Sequence, residues 1–138
     1  MVKVKEKKTA PKKGDAPKTP RAIRGENAYE IDANDDKIYF MALGGLEHIG
    51  QNMYVYKYRG KYLVVDCGMG FLDEEIGAGD VQYCDTTWLE KRKKDVVGFI
   101  VTHGHEDHIG SIPYCMQQVN CPIHGTAMTN GLIKLKLE

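Results

Sequence analysis

A run of four potential metal ligands lies within six residues of one another: His103, His105, Asp107 and His108. In an extended segment residues i and i+2 point the same way, so His103 and His105 can hold one ion side by side. A turn at Glu106 then lets Asp107 and His108 face a second ion, at the roughly 3.5–4 Å separation of two-metal sites. The spacing therefore predicts a site for two adjacent metal ions.

The donor atoms of this run indicate both the metal and the reaction class. Imidazole and carboxylate donors without a thiolate favour Zn²⁺, with Mn²⁺ as the alternative. Two adjacent cations lower the pKa of water and stabilise the attacking and leaving oxygens of a phosphoryl or acyl transfer. Hydrolysis by hydroxide held on the ions is the predicted reaction, with Asp107 as the ligand nearest the chemistry and no other catalytic residue assigned.

The elements before the histidine run are predicted to be strands of a sheet. Apolar and β-branched segments place these strands at 38–43, 53–58, 61–66 and 96–101. The dipeptide Arg59-Gly60 suits a tight hairpin turn. The segment 96–101 is continuously apolar, so we expect it to be buried on both faces of the sheet and to lead directly into the histidines.

The segments between and after the strands are predicted to be loops and helices. Residues 68–85 are expected to form a loop, and 86–94 a short surface helix anchored by Trp88. A helix with Pro113 in its first turn should follow the histidine run, then a short strand at 121–124 and a helix from Thr126. The helical pattern from Thr126 continues to Glu138 without a stop signal, so we expect the chain to be truncated within an element.

Charge divides the chain into two parts. Residues 1–24 contain nine of the 19 Lys and Arg but two of the 19 Asp and Glu, which gives 9 − 2 = +7 and leaves 10 − 17 = −7 for the remainder. This Lys- and Pro-rich segment is predicted to be a disordered basic tail. It is either a solubilising extension or an electrostatic contact with nucleic acid. The ordered domain is predicted to span residues 37–138.

Composition and cysteine usage indicate a cytoplasmic globular protein. The hydrophobic share of 42% and charged share of 28% are ordinary for soluble domains, and no apolar stretch predicts a membrane span or an export signal. Four cysteines form no C-x-x-C pair, so we expect reduced thiols rather than disulfides or a zinc ribbon. They are Cys67, Cys84, Cys115 and Cys121.

The sequence THGHEDHIG resembles the signature motif of the metallo-β-lactamase superfamily. Several flanking segments in the same order resemble bacterial ribonuclease J of the β-CASP branch, and the resemblance spans roughly residues 38–138. These segments are LGGLEHIGQNMYVYKY, YLVVDCGMGF, the WL dipeptide, THGHEDHIGSIPY and CPIHGT. The resemblance implies an α/β fold, here the amino-terminal half of an αββα sandwich that ends before the β-CASP domain.

The resemblance also implies roles for individual residues. His103 and His105 would bind one metal ion, and Asp107 and His108 the other. Asp66 would accept hydrogen bonds that orient the histidine loop. The family usually has an acid where this chain has His48, and we interpret His48 as a surface residue. His124 is interpreted as a packing residue, so the family's later His and Asp ligands have no counterpart here.

Three functional hypotheses follow. The first is a zinc-dependent ribonuclease, with 5′-to-3′ exonuclease and endonuclease action on RNA, of which this chain is an incomplete piece that is inactive alone. The second is another hydrolase of the same fold that acts on a thioester or a lactone. The third is a remnant without catalysis. Oligomerisation is expected of the complete protein and is not inferable for this chain.

Overall fold

The structure is a computed structural model that describes residues 36–47, 49–71 and 81–138. The predicted basic tail, His48 and residues 72–80 of the predicted loop lie outside the described residues. The strands of the described part are β1 (Tyr39–Gly44), β2 (Met53–Tyr58), β3 (Lys61–Val65), β4 (Met69–Gly70), β5 (Gln82–Tyr83), β6 (Val96–Ile100) and β7 (Ile123–His124). The helices are α1 (Thr87–Glu90), α2 (Glu106–Ile109), α3 (Ile112–Gln118) and α4 (Ala127–Leu137).

Five strands form one mixed sheet in the order β1-β2-β3-β6-β7. The first three strands are antiparallel neighbours, and β2 and β3 are joined by the predicted hairpin. At this turn Arg59 and Gly60 both have positive φ, 45° and 73°, as a two-residue turn that matches strand twist requires. The predicted α/β class and hairpin are therefore observed.

The other half of the sheet is parallel and brings the important loops to one edge. Strands β3, β6 and β7 run in the same direction. Their carboxyl ends therefore meet at one edge of the sheet, where ligands commonly bind in α/β folds. Because β2 is antiparallel to β3, the residues just before β2 start from the same edge. Asp66, Thr102 and Asn52 are thereby brought near one another.

The core lies between one face of the sheet and the helices. Val55, Val64 and Phe99 of the sheet are fully buried, together with Leu89 of α1 and Ile112 of α3.

The N-terminus of α4 is fixed by Thr126, whose hydroxyl accepts a hydrogen bond from the Thr129 amide, as the sequence pattern predicts.

The opposite face of the sheet is exposed, which corrects the prediction that β6 is buried on both sides. Val97 and Ile100 of β6 are 50% and 42% exposed, and Phe40 of β1 and Tyr56 of β2 in the same sheet are exposed as well. A continuous apolar run shows only that both faces of β6 are apolar. No element within the described residues packs on this face, so Val97 and Ile100 stay exposed although Phe99 is buried.

Two other segments differ from their predicted form. The predicted loop at 68–85 contains the antiparallel pair β4 and β5, whose two-residue strands are too short to show a period of two. The predicted helix at 86–94 is helical only over Thr87–Glu90 and continues as turns. Trp88 packs edge-on against Tyr62 with ring centroids 5.3 Å apart, so its predicted anchoring contact is present.

Candidate metal centre

The histidine run lies in the loop after β6 and in the first turn of the next helix. His103 follows the strand end, His105 has an extended backbone (φ −76°, ψ 152°), and α2 begins at Glu106. The predicted turn at Glu106 is therefore helical. Helix α2 ends after Ile109, which is fully buried and anchors the loop to the core.

Asp66 lies directly beneath this loop, at the end of β3. Its side chain is almost completely buried, and its backbone has a left-handed φ of 60°. One carboxylate oxygen accepts a hydrogen bond from the Thr102 amide at 2.8 Å. The other lies 2.8 Å from Nδ1 of His108 and 2.9 Å from the Thr102 hydroxyl. The predicted contact between Asp66 and the histidine loop is present.

This contact favours one tautomer of His108. An ionised carboxylate only accepts hydrogen bonds, so Nδ1 of His108 carries the proton toward Asp66. In the neutral ring, Nε2 is then left with its lone pair. Nε2 lies 3.3 Å from a carboxylate oxygen of Asp107, so two electron-rich atoms converge on one region. That is the arrangement in which a histidine can act as a metal ligand.

The remaining histidine rings lie beside His108. The centroid of the His103 ring is 4.0 Å from that of His108 and 4.6 Å from that of His105. Nδ1 of His103 is 3.0 Å from the hydroxyl of Thr102, so the same threonine contacts both Asp66 and His103. The structure thus brings together the four residues predicted to be ligands.

The four side chains approach one another without forming a complete coordination shell. Across the described ranges no group of three or more His, Cys, Asp or Glu residues is arranged to hold a metal ion. The donor types nevertheless fit zinc, because the cluster offers imidazole nitrogens and a carboxylate. An unprotonated Nε2 of His108 also has the lone pair that a zinc ligand needs. The assignment of these four residues as ligands stays a prediction.

Close backbone packing fixes the loop in position. A Cβ on Gly68 would lie 1.6 Å from the carbonyl oxygen of Asp107, so this position requires glycine for space. The Cys67 amide donates to the His108 carbonyl at 2.8 Å, and the Ser111 hydroxyl donates to the Gly68 carbonyl at 2.6 Å. The segment after β3 therefore supports both ends of α2.

Asn52 is a site residue to which the sequence analysis assigned no role. Its amide nitrogen lies 3.2 Å from the Asp107 carboxylate and 3.3 Å from Nε2 of His108. The available signal was its position in the sequence. Asn52 directly precedes β2, which is antiparallel to β3 and starts at the sheet edge where β3 ends. Recognising that signal requires the pairing of β2 with β3, which the linear sequence does not display.

The cysteines are free thiols within the described part, as predicted. Three are buried, and Cys121 is half-buried. The hydrogen bond with Cys115, together with burial, raises the pKa of the Cys67 thiol well above its usual value. Burial raises the pKa of Cys84 and of Cys121 to about 11. Since the reactive form is the thiolate, these cysteines are poor nucleophiles at neutral pH.

His124 differs from its predicted role. It was interpreted as a packing residue, but its side chain is exposed at the end of β7. The ring lies over Gly98 of β6, where an added Cβ would meet Nε2 at 3.6 Å. His124 pairs in register with Ile100 of β6, so it lies on the exposed face of the sheet. No helix in the described ranges is long and apolar enough to cross a membrane.

Comparison with known proteins connects this geometry to a family. Residues 47–131 match the model of the metallo-β-lactamase superfamily. Ribonuclease J of Helicobacter pylori is 36% identical over 111 residues, which is 80% of this chain and 16% of the relative. Ribonuclease J of Synechocystis is 38% identical over 99 residues, covering 71% of this chain and 16% of the relative.

A third relative shows the same partial coverage. Ribonuclease J 1 of Streptococcus pyogenes is 34% identical over 108 residues, which is 78% of this chain and 19% of the relative. The chain thus spans less than a fifth of the length of these curated relatives. The fold class and the resemblance predicted from the sequence are confirmed, and the chain belongs to the metallo-β-lactamase superfamily as a segment similar to ribonuclease J.

Proposed function

We propose that this chain contributes half of the metal centre of a zinc-dependent RNA hydrolase. His103 and His105 would hold one ion, and Asp107 and His108 a second. The observation that supports this most is the contact between Asp66 and Nδ1 of His108, which leaves Nε2 available beside the Asp107 carboxylate. RNA is the proposed substrate because the relatives are named ribonuclease J.

The chemistry of the proposal is hydrolysis of a phosphodiester. Two divalent cations, when bound, lower the pKa of water and stabilise the oxygens on which negative charge develops. Zn²⁺ fits the donors best, with Mn²⁺ as the alternative. Asp66 orients His108, and Thr102 connects Asp66 to His103. Both 5′-to-3′ exonuclease and endonuclease action are included, by resemblance to ribonuclease J.

The 138-residue chain by itself is proposed to be inactive. The histidine run supplies two ligands to each ion, whereas catalytic zinc sites commonly have three protein ligands. We therefore expect weak zinc binding and intact RNA after incubation with the isolated chain. Two tightly bound zinc ions in a calorimetric titration, or RNA cleavage that His105→Ala abolishes, would contradict this expectation. A cytoplasmic location is part of the proposal, since free thiols suit a reducing compartment.

The proposed substrate is tested in the complete open reading frame that contains this sequence. We expect Asp107→Ala to lower the rate of cleavage of a labelled single-stranded RNA by more than about 100-fold, the upper range for loss of a neighbour that orients a ligand. Asp95→Ala is the matched control, because Asp95 is an exposed acid just before β6 that pairs with Lys61. Unchanged cleavage by Asp107→Ala would refute the ligand assignment. Hydrolysis of a thioester or lactone in place of RNA would refute the substrate.

A further inference from the structure

The amide of Asn52 occupies the space between two of the proposed ligands. Its nitrogen is 3.1 Å from the Asp107 carbonyl oxygen, 3.2 Å from a carboxylate oxygen of Asp107 and 3.3 Å from Nε2 of His108. Three acceptors therefore surround a group with two N–H bonds. The same carboxylate oxygen and Nε2 are 3.3 Å apart, so these two atoms and the Asn52 nitrogen form a nearly equilateral triangle.

The orientation of this amide is determined by its partners. Carbonyl and carboxylate oxygens only accept hydrogen bonds, so the side-chain nitrogen of Asn52 must face Asp107. The side-chain oxygen then faces Tyr54, whose hydroxyl donates to it at 3.0 Å. In the neutral tautomer with the proton on Nδ1, toward Asp66, Nε2 accepts from the Asn52 amide at 3.3 Å. Each contact of the amide is consistent with the others.

The backbone holds Asn52 in this position from two sides. Its amide donates to the Asp107 carbonyl at 3.0 Å, and its carbonyl accepts from the Gly68 amide at 3.0 Å. Space for the side chain depends on Gly45, which has a φ of 79°. A Cβ at Gly45 would lie 2.6 Å from the Tyr54 hydroxyl oxygen and 2.8 Å from the side-chain oxygen of Asn52. The turn before β2 is thus shaped around this pair.

We propose that Asn52, held by Tyr54, is a positioning residue that keeps Asp107 and His108 converged while no cation is bound. The inference rests on the proposed function, since it concerns residues assigned there as ligands. The side-chain nitrogen of Asn52 contacts both the Asp107 carboxylate, at 3.2 Å, and Nε2 of His108, at 3.3 Å, and so connects these two side chains. When Nε2 gives its lone pair to a cation, Asn52 keeps the Asp107 carbonyl as an acceptor and stays satisfied.

The first test uses the metal-free chain and needs no activity. Imidazole ¹⁵N resonances report whether Nε2 of His108 accepts a hydrogen bond. We expect Asn52→Ala to move this resonance downfield, because the donor is lost while Asp66 still fixes the tautomer. Asn130→Ala is the control, since Asn130 donates to the Gly125 carbonyl in α4's first turn. An Nε2 resonance that does not move in Asn52→Ala would overturn the proposal.

The second test measures zinc binding by calorimetry in the protein encoded by the complete open reading frame that contains this sequence. Asn52→Ala should weaken binding about 10- to 100-fold, as for other groups that orient ligands, and Asn130→Ala should not. Tyr54→Phe removes one neutral hydrogen bond and should weaken binding about 2- to 10-fold. Equal affinity in Asn52→Ala and the parent chain would overturn the proposal.

The variants also separate folding from function. If Asn52→Ala does not fold, Tyr54→Phe decides the question, because it keeps the ring and removes only the hydroxyl that holds Asn52. An unchanged zinc affinity and Nε2 resonance in folded Tyr54→Phe would then overturn the inference. Failure of the complete protein to cleave RNA, with the Nε2 shift present, would count against the proposed function and leave the role of Asn52 standing.

Discussion

Replacement of Asp66 by asparagine tests the central contact of the site. Asparagine has the same shape and tolerates the left-handed backbone at this position, where φ is 60°. The asparagine side chain keeps an oxygen that can accept from the Thr102 amide, as the Asp66 carboxylate does at 2.8 Å in the parent chain. What changes is the atom facing His108, because an amide nitrogen replaces a carboxylate oxygen 2.8 Å from Nδ1.

Two donors then face each other, and the consequences can be estimated. Loss of one hydrogen bond to a charged group costs about 1.5–3 kcal/mol of folding free energy. With an m value of about 2 kcal/mol per molar urea, the unfolding midpoint should fall by roughly 1 M. The clash is relieved if His108 moves its proton to Nε2, which removes the lone pair beside Asp107. Zinc affinity should therefore fall about 10- to 100-fold.

Urea unfolding of this chain and calorimetric zinc titration of the complete protein measure these two effects separately. Asp95→Asn is the matched control, because this exposed carboxylate pairs with Lys61 at 2.8 Å and surface pairs contribute about 0–1 kcal/mol. The reasoning would be refuted if Asp66→Asn unfolds at the same urea concentration as the parent chain and binds zinc equally well. A loss of stability without a loss of zinc affinity would leave Asp66 a purely structural residue.

Three further predictions concern packing, pH and the basic tail. Gly68→Ala should destabilise the fold by about 3 kcal/mol or more, since its Cβ would lie 1.6 Å from a backbone oxygen. Gly131→Ala in α4 should stabilise the fold by about 0.5–1 kcal/mol, because an added Cβ there meets nothing within 4 Å. Urea unfolding compares the two variants, and equal effects on stability would contradict the packing argument. Burial raises the pKa of the Cys84 thiol to about 11, above the ordinary value of 9.0, so folding favours the protonated thiol. The free energy of unfolding should therefore fall as pH rises from about 9 to 11. Cys84→Ala should make this fall smaller, and an unaltered dependence of stability on pH would contradict the raised pKa of Cys84. Deletion of residues 1–24, with a net charge of +7, should weaken RNA binding mainly at low salt if the tail contacts phosphates, and unchanged affinity at all salt concentrations would indicate a solubilising extension.

The local sequence was sufficient to predict most of the elements and to name the candidate ligands. The hairpin between β2 and β3 follows from Arg59-Gly60, and the start of α4 follows from Thr126. The density of donors at positions 103–108 predicts a metal site because few structural requirements place three imidazoles and a carboxylate together. The predictions of the hairpin and of the start of α4 succeed because each depends on residues that are close along the chain, while the metal site stays a prediction.

The partners of the ligands were decided by tertiary structure. Asn52 and Asp107 are separated by 55 positions, and they meet because β2 and β3 are antiparallel while β3 and β6 are parallel. The exposure of Val97 likewise depends on which elements cover the sheet, and its apolar character does not reveal this. The sequence by itself determined which atoms could bind a metal ion. Only the pairing of distant strands determined that Asp66 contacts Nδ1 of His108 and that Asn52 contacts both His108 and Asp107, because side chains far apart in sequence become neighbours only through the sheet.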